Sequence, residues 1–225
     1  MKSNKKSIFI VILIAVICVS SYFILSRVVW GLMAFGSSPQ IVEDMKSSLS
    51  KLPSDALISK LASYNRPYSF FYRSPYPYIS LKILVERREK KAVPLLIGFL
   101  KMQNIDRRQT AIWALGVIND KRAIKPLMEI IEKGENNSDY SDALLALATM
   151  KYEGAFPYIL ERAKKPDAYR NGSIAMLEAY GKSECIPILV DIKSRIKDND
   201  PMPRLGRGLA DDAIKNIELQ NAQKQ

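Results

Sequence analysis

The chain has 225 residues, a formal net charge of +11, two Cys and no His. Without an imidazole there can be no Ser-His-Asp or Cys-His catalysis and no His-based zinc or di-iron site. Two cysteines, Cys18 and Cys185, make no disulfide framework, and 25% charged residues fit an ordinary body long enough to bury a core.

Ile8 to Leu25 reads IFIVILIAVICVSSYFIL, 18 residues without a charge. At 1.5 Å per residue this run spans about 27 Å, close to a bilayer's hydrocarbon thickness, which predicts one transmembrane anchor. The apolar run resumes after Arg27 as VVWGLMAF, with Trp30 where an interfacial aromatic would sit. A cleaved signal peptide would share the basic start MKSNKK, but its apolar region is usually roughly 7–15 residues. Cleavage near Val19-Ser20-Ser21 would leave a strongly apolar new terminus. Ile17 spoils a lipoprotein box before Cys18, and the lack of a polar stripe disfavours a buried soluble helix. Lys2, Lys5 and Lys6 precede the run, whereas only Arg27 follows it before Lys46. That bias predicts a single-pass protein, with a cytoplasmic N-terminus and the body on the exocytoplasmic side, periplasmic or extracellular. These four cations leave the remaining chain at a moderate +7.

Two weaker helical segments follow, Ile41–Leu52 and Ser54–Leu61, punctuated by Pro53, with Ser54 as a plausible N-cap. They read as a divergent cap. Next comes YNRPYSFFYRSPYPY (64–78), with seven aromatics in 15 residues. It is either a recognition loop, with Tyr68, Phe70, Phe71 and Tyr72 as anchors beside Arg66 and Arg73, or a cover for the open end of the helical body.

From there a pattern recurs: LVERREKKAVPLL (84–96), LGVINDKRAIKPL (115–127), LATMKYEGAFPYI (147–159) and LEAYGKSECIPIL (177–189). A helix ends in a Leu-led stretch, a turn follows, and then a small residue, an apolar residue and Pro open a second helix. The small residues Ala92, Ala123, Ala155 and Cys185 are spaced by 31, 32 and 30. Pro94, Pro126, Pro157 and Pro187 fall in the first turn of the second helix, where proline's missing N–H costs nothing. Apolar residues recur at helical spacing, as in Ala111, Ala114, Leu115 and Ile118, or Leu127, Ile130 and Ile131. A single hairpin cannot bury both faces, so neighbours must stack into an all-α solenoid. DNDP (198–201) breaks the chain, and RLGRGLADDAIKNI (204–217) repeats the first-helix pattern as a C-terminal cap.

RRQTAIWALGVINDKRAIKPLMEII (107–131) resembles the short HEAT-like repeats of phycobilin lyases and many bacterial proteins. An Arg seven residues before the repeat Leu or Ile, present as Arg108, Arg170 and Arg207, is a further feature of that family. Tyr140 and Pro77 interrupt the series. The resemblance implies a right-handed α-solenoid of about four to five hairpins over residues 76–220, after an anchor (1–36) and a cap with its aromatic loop (37–75). It also implies that these Arg side chains bond one repeat to the next.

In repeat register Lys90 aligns with Lys121 and Lys91 with Arg122, which places a basic edge along two turns, joined by Arg87 and Arg88. Glu153-Gly154 and Ser183-Glu184 end it. The edge is either an ordinary solvated turn or a site for an anionic partner: an acidic protein, a lipid headgroup or nucleic acid. Nucleic acid is disfavoured, because it needs a longer basic track. No Gly-rich phosphate loop, Cys cluster or paired-carboxylate arrangement stands out, so no catalytic, cofactor or metal residue is expected. The expected function is a membrane-tethered protein-interaction or scaffold module without catalytic activity. Anionic ligand binding is the main alternative, and phycobilin-lyase-like chaperoning a lesser one. Iron-dependent deoxyhypusine hydroxylation, found on the same repeat architecture, is removed by the lack of His.

Overall fold

The computed structural model describes residues 39–62, 76–165, 170–200 and 203–223. Among them there are helices and turns but no strand. By its packing the chain divides into two units, residues 1–83 and 84–225.

In the first unit, α1 (Pro39–Ser50) and α2 (Ser54–Ala62) flank Pro53, and α3 (Tyr76–Glu86) begins. Leu49, Leu57, Leu61, Ile79, Leu81 and Ile83 are buried.

The second unit starts within the last turn of α3. It continues through α4 (Val93–Phe99), α5 (Ile105–Ile118), α6 (Ile124–Glu132), α7 (Tyr140–Thr149), α8 (Phe156–Ala163), α9 (Arg170–Tyr180), α10 (Cys185–Ser194) and α11 (Pro203–Ala222). Each first helix packs on the hairpin before it and the first helix after it. Thus α5 lies against α4 and α7, α7 against α6 and α9, and α9 against α8 and α11. Helix α11 closes the series on α9 and α10. This solenoid-like stacking is what the periodic pattern requires. The repeat leucines Leu84, Leu115, Leu147 and Leu177 and the small residues Ala92, Ala123, Ala155 and Cys185 have no exposed surface. Each of the four prolines sits in the first turn of its helix.

The turn after each first helix closes on the same carbonyl, from the left-handed residue itself in the second and fourth turns and from the residue after it in the first and third. The carbonyl of the repeat Leu accepts an N–H from the turn: Glu89 to Leu84 at 2.9 Å, Asn119 to Leu115 at 3.1 Å, Tyr152 to Leu147 at 3.0 Å and Gly181 to Leu177 at 3.0 Å. Those bonds satisfy carbonyls that a helix end leaves open, and they need one residue in the left-handed region. Arg88, Asn119, Lys151 and Gly181 fill that place, with φ of 49°, 58°, 56° and 67°. A single 3-10 turn follows in the first three, at Lys90–Ala92, Lys121–Ala123 and Glu153–Ala155.

The expected single-pass localisation is corrected at this point. Among the described residues no helix is long and apolar enough to cross a membrane. The run Ile8 to Leu25, on which that expectation rested, lies outside the described residues.

Candidate functional site

The turn edge of the second unit carries the predicted basic residues. Glu89 and Asp120 cap the first two 3-10 turns, accepting from the backbone N–H of Lys91 (3.2 Å) and Arg122 (3.0 Å). Capping fixes the direction in which the following cations leave the backbone. Lys90, Lys91, Lys121, Arg122, Arg87 and Arg88 are all exposed.

Arg122 is differently placed from the others. Its Nε and Nη2 donate to the two carboxylate oxygens of Asp120, both at 2.9 Å, and Nη2 also donates to the carbonyl of Lys90 at 2.8 Å. One guanidinium therefore closes its own turn and ties it to the turn one repeat earlier. The Arg122 side chain and then its backbone N–H hold the Asp120 carboxyl down at about 2. The Arg122 bond to the Lys90 carbonyl joins the turn that carries Lys90 to the turn that carries Lys121. Arg88 serves the backbone through its left-handed conformation. Tyr68, Phe70, Phe71 and Tyr72 lie outside the described residues.

Beyond the second turn the edge loses its net positive charge, because Glu153 and Glu184 balance Lys151 and Lys182. Lys182 pairs with Glu153 at 2.7 Å and lies 5.3 Å over the Tyr180 ring, while Lys151 Nζ donates to the Tyr180 carbonyl at 3.2 Å. Two grooves of about 350 and 380 Å³ open between successive turns here, both lined by Lys151. Both of these lysines already hold one turn to the next.

The family-type arginines do the same inside the stack. Arg108 Nε donates to the buried Asp139 just before α7, and its Nη1 donates to the carbonyls of Met102 (2.8 Å) and Gln103 (2.9 Å). Arg207 Nη2 donates to the Ile196 carbonyl at 2.9 Å and to Asp198 at 2.6 Å. The side chain of Arg170 lies outside the described set. Sequence reasoning missed Asp139 and the buried Arg162, whose Nη2 donates to Ser141 Oγ at 2.8 Å and whose guanidinium lies 5.7 Å from the Tyr140 ring centre. No spacing rule could have found them, since each looks like an ordinary surface charge in its local sequence.

Burial pushes the Cys185 thiol up, so it stays protonated and packs as a small apolar group. Among the described residues no group of three or more His, Cys, Asp or Glu side chains converges to hold a metal ion.

A family model described as HEAT repeats matches residues 77–140, a span that runs from α3 to the start of α7. Over that span the chain is similar to HEAT repeats, which typically bind proteins. Comparison with the curated proteins found no match.

Proposed function

We propose that the repeat body is a non-catalytic protein-interaction module, and that its basic turn edge takes an acidic segment of a partner protein. One observation carries this reading: Lys90, Lys91 and Lys121 stand exposed on successive turns whose spacing is set by the Arg122 bond to the Lys90 carbonyl. Exposed cations held at a fixed spacing steer and register an acidic surface without needing to be buried. The loss of net positive charge from Glu153 onward, where Glu153 pairs with Lys182, limits the site to the first two turns. A sequence without His, and so without the commonest general base, agrees with a binding role.

The test is capture of partners by the purified full chain, compared with a Lys90→Glu, Lys91→Glu, Lys121→Glu variant that keeps Arg122. The expected result is a partner lost from the variant and released from wild type by added salt, with helicity and melting unchanged. Equal capture by both chains would refute the edge as the site.

A further inference from the structure

The solvent side of the first helices differs in character from the rest of this basic chain. On α5 the solvent-side line runs Asp106, Gln109, Thr110, Trp113 and Val117, at i, i+3, i+4, i+7 and i+11, which is one helical face; Asp106 and Trp113 are exposed and the other three part-exposed. The same register places Asp142, Leu145 and Thr149 on α7 and Ala175 and Ala179 on α9, all part-exposed. Packing joins these helices side by side: α5 touches α7, and α7 touches α9.

Two features set this face apart. First, the segments 109–117, 141–149 and 171–179 contain no Lys or Arg. The charged groups that the face does carry are Asp106 and Asp142, with Glu178 on one flank, where it accepts from Asn216 Nδ2 at 2.7 Å, and Arg107 on the other, so the acids outnumber the base. Second, Trp113 is 45% exposed while its neighbour Ile112 is fully buried. Beside it the equivalent positions shrink to Leu145 and Ala175, with Val117, Thr149 and Ala179 in the next row. A large aromatic at one end and small residues beyond it form a shelf. Gly172 leaves open space on the same side.

We propose that the solvent face of α5, α7 and α9 is a docking surface for a basic amphipathic helix of a partner protein. Trp113 is the apolar anchor, and Asp106, Asp142 and Glu178 receive the partner's cations. Charge complementarity selects a basic occupant. A helix fits because a face made of helices has no strand edge to pair with, so the incoming backbone must satisfy its own hydrogen bonds. Crossing three helices covers two interaxial steps, about 16–20 Å, which a helix of about 12–14 residues spans. The Asp142 carboxyl is already pushed up, by burial first and by Asp139 second, against a hydrogen bond from Gln109, so an incoming cation would relieve it. Exposed aromatics of this kind dominate helix-in-groove recognition. The surface is distinct from the turn edge and of opposite chemistry, so one body could hold two unlike partners.

The probe is a labelled Leu/Lys amphipathic helical peptide titrated into the purified full chain by fluorescence anisotropy. A scrambled peptide of equal composition and a Leu/Glu counterpart serve as controls. Saturable, salt-sensitive binding of the first alone is expected. Trp113→Ala should weaken it at least tenfold, and Asp142→Asn with Glu178→Gln should remove most of its salt dependence. The Lys90→Glu, Lys121→Glu variant should bind as wild type does, which separates this face from the edge. Equal binding of the scrambled peptide, unchanged binding by Trp113→Ala, or no saturable binding would overturn the proposal. Self-association abolished by Trp113→Ala would overturn it too, assigning the face to a second copy of the chain.

Discussion

Gly116 and Ala146 meet tightly between α5 and α7: a Cβ placed on Gly116 would fall 2.9 Å from both the Cα and the Cβ of Ala146. Glycine normally weakens a helix interior by about 1 kcal/mol relative to Ala. Here it is what lets the two helices touch. Gly116→Ala therefore trades that gain against a collision with backbone, and overpacking of this kind costs about 1–3 kcal/mol. The expected outcome is a net loss of up to about 2 kcal/mol, read from the urea midpoint. Adding Ala146→Gly should restore only part of it, since the Cα of residue 146 stays in the way. Full restoration would place the collision on the side chain alone.

The left-handed turn residues predict a gain. Arg88 is exposed and holds φ of 49°, a conformation that costs an ordinary L-residue about 1–2 kcal/mol and glycine very little. After the extra entropy glycine has in the unfolded chain, Arg88→Gly should stabilise the body by about 0.5–1 kcal/mol, with Arg88→Val moving the other way. Thermal melts of the two variants check the sign.

Asp120 makes stability depend on acid. Its folded value, about 2, lies below the ordinary 3.8, so its contribution is fully present above about pH 4 and is lost as pH falls toward 2. Asp120→Asn keeps a competent cap but removes the charge that Arg122 holds. The variant should be less stable than wild type at neutral pH, and the two stability curves should converge between pH 4 and 2. A constant gap across that range would mean that the carboxylate charge contributes nothing.

Leu115 has no exposed surface, and a carboxylate there would have no partner. Leu115→Asp should cost several kcal/mol, on the order of the whole stability of a domain, and leave the chain unfolded by circular dichroism. Wild-type melting would contradict its burial.

What could be read from the sequence was whatever the repeat forces to recur. Leu115, Ala123 and Pro126 each have counterparts one repeat away, so helix ends, turns and core register followed from spacing. What could not be read were contacts that depend on three dimensions. Arg108 meets Asp139 across 31 residues, and neither announces the other. Trp113 differs: at 100° per residue it lies nearly opposite the line of Ala111, Ala114, Leu115 and Ile118, so its exposure follows from the helical period and not from a distant contact. The edge was legible as charge but not as bonding, so Arg122 looked like one more free cation until its three acceptors were seen.

Those acceptors have a consequence for how such a body changes over generations. Arg122 bonds to the Lys90 carbonyl, Lys151 to that of Tyr180 and Arg195 to that of Ala163, each reaching a neighbouring repeat through main chain that every amino acid supplies. These three joints are therefore blind to the side chain at the receiving position. A duplicated or exchanged hairpin needs no matched substitution there, and the outward residues at those positions are at liberty to drift toward new partners, whereas Gly116–Ala146 and Arg108–Asp139 still demand matched pairs.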